Sequence, residues 1–140
     1  METILDTSSD LRNYSPQTLA FIGDTVYELF VRESLVTQAN RPVGELNRRK
    51  VGLVNCESQA RAAKILMPLL TDEEEAVYKR GRNAFTKNTP KNSSVADYHS
   101  ATGLEALFGY LYLGGRLERL RELFSYIVNN ESRESEVEKL

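Results

Sequence analysis

Only one of the 140 residues is a cysteine, Cys56. It has no partner for an internal disulfide and no CxxC companion, so a disulfide scaffold is excluded and a small buried core position is expected for it. No apolar run approaches the roughly 20 residues that span a bilayer, and no basic opening followed by a cleavage site begins the chain. A membrane partner is therefore not expected, and a cytoplasmic location is. No stretch alternates apolar and polar residues as a half-buried strand does, and neither a repeat nor a low-complexity segment is visible. The formal net charge of −2 excludes a global polycation. What is present, 140 residues with 41% apolar content, suits one domain with a real core.

Helical signals fill the chain. Ser15-Pro16 reads as an N-cap followed by proline at the first helical position, opening a long helix through Leu35. Pro42 opens a second helix through "VGELNRRKVGLV", and Asn55 caps a third, "CESQARAAKILMPLL". Thr71 with Glu74 forms a capping box for "DEEEAVYKRGR". The acids of that helix lie in its first turn and its bases in its last, which complements the helix dipole, so the acid run has a structural explanation. A further helix is expected from Asp97 to Leu113, ending at Gly114-Gly115. The last, "RLERLRELFSYIVNN", carries Leu117, Leu120, Leu123, Phe124 and Ile127 on one stripe. The expected fold class is all-α, with residues 1–130 as one domain and 131–140 as a polar, frayed tail.

Two acids stand out because their helices are apolar. In "LAFIGDTVYELFVRESL", Leu19, Ile22, Val26 and Leu29 are expected to face the core. Asp24 shares the other side with Ala20, Tyr27, Val31 and Leu35, so it is expected to be covered rather than open. Glu28, one turn on, can join Asp24 or pair with Arg32. In "ATGLEALFGYLYLGG", Glu105 lies beside Thr102, Phe108, Gly109 and Tyr112. A buried charge needs a partner, a hydrogen-bond network or a metal. Each helix also has a glycine near its acid, Gly23 and Gly109, and a mid-helix glycine costs about 1 kcal/mol relative to alanine. Close crossing of the two helices would explain both glycines and would bring Asp24 and Glu105 to one hard cation, which takes oxygen ligands. Simple pairing of each acid with an arginine or a hydroxyl remains the plain alternative.

Charge is segregated as well. From Ala76 to Ala96 there is no acidic residue, but there are Lys79, Arg80, Arg82, Lys87 and Lys91. Arg48, Arg49 and Lys50 form a second cluster. Such patches suit a polyanion, and a solvated helix face is the bland alternative. His99, the only histidine, can touch a phosphate but gives no argument for a general base.

The residues around both acids resemble the ribonuclease III family. Phe21-Ile22-Gly23-Asp24 is similar to the core of that family's signature helix, and Glu105-Ala106-Leu107 with Gly109 to its second catalytic helix. "DEEEAVYKRGRNA" followed by "TPKN" and the shortness of the chain point to the Mini-ribonuclease III branch, which lacks a double-stranded-RNA-binding domain. The resemblance implies a helical homodimer with the signature helices at its interface. It implies an endoribonuclease with Asp24 and Glu105 as catalytic residues and ligands of Mg²⁺, for which Mn²⁺ can substitute. It also implies double-stranded or structured RNA as substrate, in maturation of the 23S ribosomal RNA precursor. Lys79, Arg80, Arg82, Asn83, Lys87 and Lys91, with Arg48, Arg49 and Lys50 as a second surface, are then the expected RNA contacts, since an A-form duplex offers phosphates and 2′-hydroxyls rather than base edges. The family has further acids where this chain has Gln17, Ala20 and Thr102, which keeps a catalytically inactive RNA-binding or scaffolding domain as the alternative.

Overall fold

A computed structural model describes residues 3–8, 10–84 and 94–138, with side chains through residue 131. Six α-helices run in the order α1 (Pro16–Gln38), α2 (Val43–Val54), α3 (Cys56–Leu66), α4 (Asp72–Arg82), α5 (Val95–Leu113) and α6 (Leu117–Glu138), and the described residues contain no strand. The caps are those that the sequence implies. Ser15, Asn55 and Thr71 each accept a hydrogen bond from a first-turn amide of the helix that follows. Ser94 does the same for Asp97 and starts α5 two residues earlier than expected. Pro68 ends α3 at Leu66, and Met67–Leu69 turn off in a 3-10 helix, because proline cannot donate to the helical ladder. Helix α6 runs past Asn130 to Glu138, through residues rich in the strong helix former glutamate.

Helix α5 is the centre of the molecule, with α1, α3, α4 and α6 all packed on it. Leu104, Leu107, Phe108 and Leu111 are fully buried and meet Leu66 of α3 and Leu120, Leu123 and Ile127 of α6 in one core. Tyr27 of α1 stands edge-on to the Phe108 ring, with centroids 5.1 Å apart.

The capping box of α4 has a second use. Glu74 is 0% exposed. Its carboxylate receives Arg119 Nε and Nη2 from α6, both at 2.8 Å, and Arg119 also reaches the Leu69 carbonyl at 2.9 Å. Burial pushes the Glu74 carboxyl up, but the Arg119 hydrogen bonds and the Thr71 amide outweigh it and hold the group below its ordinary value. A forked guanidinium suits this task because it satisfies two carboxylate oxygens and a carbonyl together.

Two expectations are corrected. The buried arc of α1 is Leu19, Gly23, Val26, Tyr27, Val31 and Leu35, whereas Leu29 is 58% exposed. The core is thus on the side of Tyr27, Val31 and Leu35, rotated from the expected Leu29 side because Gly23 turns that arc toward α5. Cys56 is half-buried rather than buried, because it opens α3 at the molecular edge.

Candidate active site

The site begins with a backbone crossing. A Cβ at Gly23 would lie 2.6 Å from the Glu105 carbonyl carbon, closer still to its oxygen, and 2.8 Å from the Gly109 nitrogen. A Cβ at Gly109 would lie 2.9 Å from the Leu19 carbonyl carbon and 3.1 Å from the Gly23 nitrogen. Helices α1 and α5 therefore touch main chain to main chain, which only glycine permits. Asp24 follows Gly23 in α1 and Glu105 precedes Gly109 by one turn in α5. The crossing brings the two acids together, as their neighbouring glycines suggest.

Asp24 and Glu105 interact directly. Burial first, then the hydrogen bond and charge of Asp24, pushes the Glu105 carboxyl up to about 9, while a hydrogen bond from Gln59 of α3 acts in the opposite sense. At neutral pH, without a cation, Glu105 is thus protonated and donates to Asp24. The expected cover over Asp24 is a further correction: in the single chain Asp24 is exposed, and Glu105 is half-buried. Asp24 sits at the border between the buried arc of α1 and its outer face, so the pair is anchored inside and open outside.

Among the described residues no cluster of three or more His, Cys, Asp or Glu side chains is placed to hold a metal ion. The Asp24–Glu105 pair is the smaller set that remains. Its donors are all oxygens, and two negative charges meet there once both ionise. That combination fits a hard divalent cation that keeps much of its water. Thr102 does not join, because its hydroxyl donates to the Tyr98 carbonyl at 3.0 Å. Glu28 does not join either. It accepts from Arg32 Nε at 2.9 Å and pairs with Lys50 Nζ at 3.9 Å.

The basic residues divide by availability. Lys50 serves Glu28, and Arg49 is held by Glu45 at 3.0 Å. Arg48 is exposed and has no ion pair among the described residues. Lys79 reaches Glu75 at 2.9 Å, Arg82 lies over the Tyr78 ring at 5.8 Å, and Arg80 and Asn83 are exposed. Helix α4 meets α5 at Gly81, against Gly103 and Ala106, so its basic last turn lies beside the α5 turn that carries Glu105. Lys87 and Lys91 lie outside the described residues. His99 Nδ1 is buried and has no hydrogen-bond partner among the described residues.

Sequence reasoning missed Gln59. The signal was there: Gln59 shares the helical spacing of Ala62, Ala63 and Leu66, all buried, so it is an amide set in a core stripe.

Known proteins resemble this chain in sequence and in fold. The Ribonuclease III domain family matches residues 17–116. A Mini-ribonuclease 3 of Thermoanaerobacter sp. (strain X514) is 44% identical over 126 residues, covering 90% of this chain and 89% of the relative. A Mini-ribonuclease 3 of Symbiobacterium thermophilum is 46% identical over 108 residues, covering 77% and 83%. A crystal structure of a protein from Fusobacterium nucleatum superposes with a TM-score of 0.79 at 31% identity, covering 89% of this chain and 99% of that one.

Proposed function

Because the chain belongs to the ribonuclease III family, and is an endoribonuclease of its Mini-ribonuclease 3 branch, we propose that it cleaves double-stranded or structured RNA at a divalent-metal site made by Asp24 and Glu105. The observation that carries this reading is the meeting of two carboxylates at a helix crossing that glycine alone allows. Mg²⁺, or Mn²⁺ in its stead, would be held by these two carboxylates with waters, and when bound it would activate a water toward the phosphodiester and stabilise charge on the leaving oxygen. Asp24 presents its exposed carboxylate to the substrate side. Glu105 gives up its proton to make the second anionic oxygen, and Gly23 and Gly109 fix the distance between the helices that carry them. The natural substrate is the 23S ribosomal RNA precursor, and the compartment is the cytoplasm; among the described residues no helix is long and apolar enough to cross a membrane.

Asp24→Asn tests the assignment. It is expected to abolish cleavage of a long duplex RNA in Mg²⁺ while leaving duplex binding and the folded state intact. Full activity of the purified variant would reject it. The competing reading, an inactive RNA-binding domain, takes its support from the presence of only two acids. Absence of cleavage by the parent in both Mg²⁺ and Mn²⁺, with RNA still bound, would favour that reading.

The RNA surface is the acid-free window from the last turn of α4 onward, Lys79, Arg80, Arg82, Asn83, Lys87 and Lys91, with Arg48, Arg49 and Lys50 as a second patch. Neutral replacement of Lys79, Arg80, Arg82 and Lys87 is expected to weaken duplex binding far more than the chemical step. It should also make the salt dependence shallower by about 0.9 in log–log slope for each phosphate that the variant no longer neutralises. A salt titration in the Asp24→Asn background reads this, and an unchanged slope would move the RNA to Arg48.

The active form is a homodimer. Phe21, Leu29 and Val36 are exposed at successive points along α1, Phe21 at 83%, and an apolar groove of ≈ 790 Å³ runs between α1 and α6, lined by Leu29 with Ile22, Phe30, Leu117 and Phe124. An apolar face of this kind needs cover. Sedimentation at micromolar concentration should show a dimer for the parent and a monomer for Phe21→Lys; a monomeric parent would refute the assignment.

A further inference from the structure

Arg48, Arg49 and Lys50 adjoin in sequence, but successive residues of a helix point about 100° apart, and the three do not share one surface. Arg48 is exposed, and the Arg49 side chain is 48% exposed beside Glu45. Lys50 turns inward to α1, where its side chain is 17% exposed and its Nζ lies 3.9 Å from the Glu28 carboxylate. That separation is beyond hydrogen-bond reach, and the Lys50 ammonium makes no hydrogen bond among the described residues. Glu28 is already taken, because it accepts from Arg32 Nε at 2.9 Å. One carboxylate thus faces two cations, and the charge of Lys50 is not fully answered among the described residues. A half-buried cation is costly unless it is paired and hydrogen-bonded, so its retention calls for an anion. Its place says which one. Glu28 follows Asp24 by one turn of α1, and residues four apart on a helix have Cβ atoms about 5–6 Å from one another. Lys50 therefore stands at the edge of the Asp24–Glu105 site.

We propose that Lys50 is a catalytic residue: its ammonium contacts an anionic oxygen of the phosphodiester that is cut at the Asp24–Glu105 site and stabilises the charge that gathers there during cleavage. The inference rests on the metal-site reading above, and it moves Lys50 from the second RNA patch to the reacting phosphate. The substrate is itself an anion, and the carboxylates of the site repel it, so a cation at their edge offsets that repulsion. An ammonium on a flexible four-carbon stem can leave a loose ion pair for a phosphate oxygen without breaking a hydrogen bond. Arg32 is not free in this way, because its Nε is bonded to Glu28. Lys50 keeps its proton throughout and forms no covalent bond with the RNA. A placed donor of this kind acts on the charge of the transition state, and removing one costs about 100–1,000-fold in rate.

The test is Lys50→Met, which keeps the apolar stem and removes the charge. Duplex RNA binding is measured in EDTA, and cleavage is measured in single turnover with protein and Mg²⁺ both saturating. The expected result is cleavage about 100-fold slower, with duplex affinity within a few-fold of the parent and an unchanged Tm without RNA. Lys50→Arg, which keeps the charge, should recover most of the rate. Glu28→Gln removes the acid and keeps the ammonium, so it should cleave within a few-fold of the parent. A loss in Glu28→Gln equal to that in Lys50→Met would show that Lys50 acts only by tying α2 to α1, and would overturn the proposal. Weaker binding by Lys50→Met with a parental rate at saturation would return Lys50 to the RNA patch, and parental behaviour in both assays would leave it a structural ion pair; either result overturns the proposal. If the Met variant does not fold, Lys50→Gln is read by the same comparison of rate with affinity. Asp24→Asn separates the two levels. If it cleaves at the parental rate, the metal-site reading itself fails; if it is inactive while Lys50→Met cleaves at the parental rate, only the role of Lys50 fails.

Discussion

Glu105→Gln is expected to abolish RNA cleavage and, in the same protein without metal, to raise thermal stability. The two effects have one origin. The Glu105 carboxyl has its ordinary value near 4.5 in the unfolded chain and is pushed up to about 9 in the folded one, by burial and then by Asp24. Between these values the native state binds a proton that the unfolded state has released. Stability with respect to this group is therefore fully present below pH 4.5 and falls as pH rises toward 9. An amide never ionises, so the Gln variant escapes that loss. In EDTA at pH 8 its Tm should exceed that of the parent by about 3–8 °C, corresponding to about 1 kcal/mol for a domain of this size. The difference should vanish near pH 4.5. Thermal melts of both proteins across this range check the claim, and an equal or lower Tm for the variant at pH 8 would show that Glu105 is already ionised and compensated. A site that weakens the fold for the sake of its chemistry is the usual trade between stability and function.

Gly23→Ala should have the largest effect on folding. Alanine is the better helix former by about 1 kcal/mol, so propensity alone predicts stabilisation. The new methyl would instead overlap the Glu105 carbonyl group, which is main chain and cannot swing away. Helices α1 and α5 must separate, opening the core around Tyr27 and Phe108. A loss of about 3 kcal/mol or more is expected, read as a drop in the urea midpoint or as insoluble protein. Gly52→Ala supplies the contrast. That position in α2 has nothing within 4 Å of an added Cβ, and the same substitution there should stabilise by about 0.5–1 kcal/mol. Equal effects at the two positions would mean that the crossing is not as tight as the backbone contact requires.

These two residues also mark how far sequence alone reaches. The helix starts were legible because capping is local: Ser15, Asn55 and Thr71 each bond within one turn of themselves. The α1–α5 crossing was legible because each helix carries a glycine that its own propensity disfavours. The core side of α1 was not, because both sides of that helix are apolar and periodicity cannot say which is inside. Leu29 and Val31 are equally good core residues on paper, and only the position of α5 decides between them. The exposure of Asp24 was missed for the same reason. The role of Arg119 was not legible in another way: its partner, Glu74, is far away in the chain, and a lone arginine in a helix gives no hint of what it faces.

The crossing has a consequence for synthesis. Glu105 follows Gly23 by more than half the length of the chain, so α1 is made long before the helix that it must clasp. As it leaves the ribosome α1 carries Leu19, Val26, Tyr27, Val31 and Leu35, which are buried only later, together with the outer Phe21, Leu29 and Val36. During that interval these apolar residues are uncovered, and Asp24, Glu28, Arg32 and Glu33 are the charges that keep the helix in water. Contacts this distant in sequence slow folding. The half-made chain therefore carries an uncovered apolar helix for the whole time between the making of its first helix and its fifth.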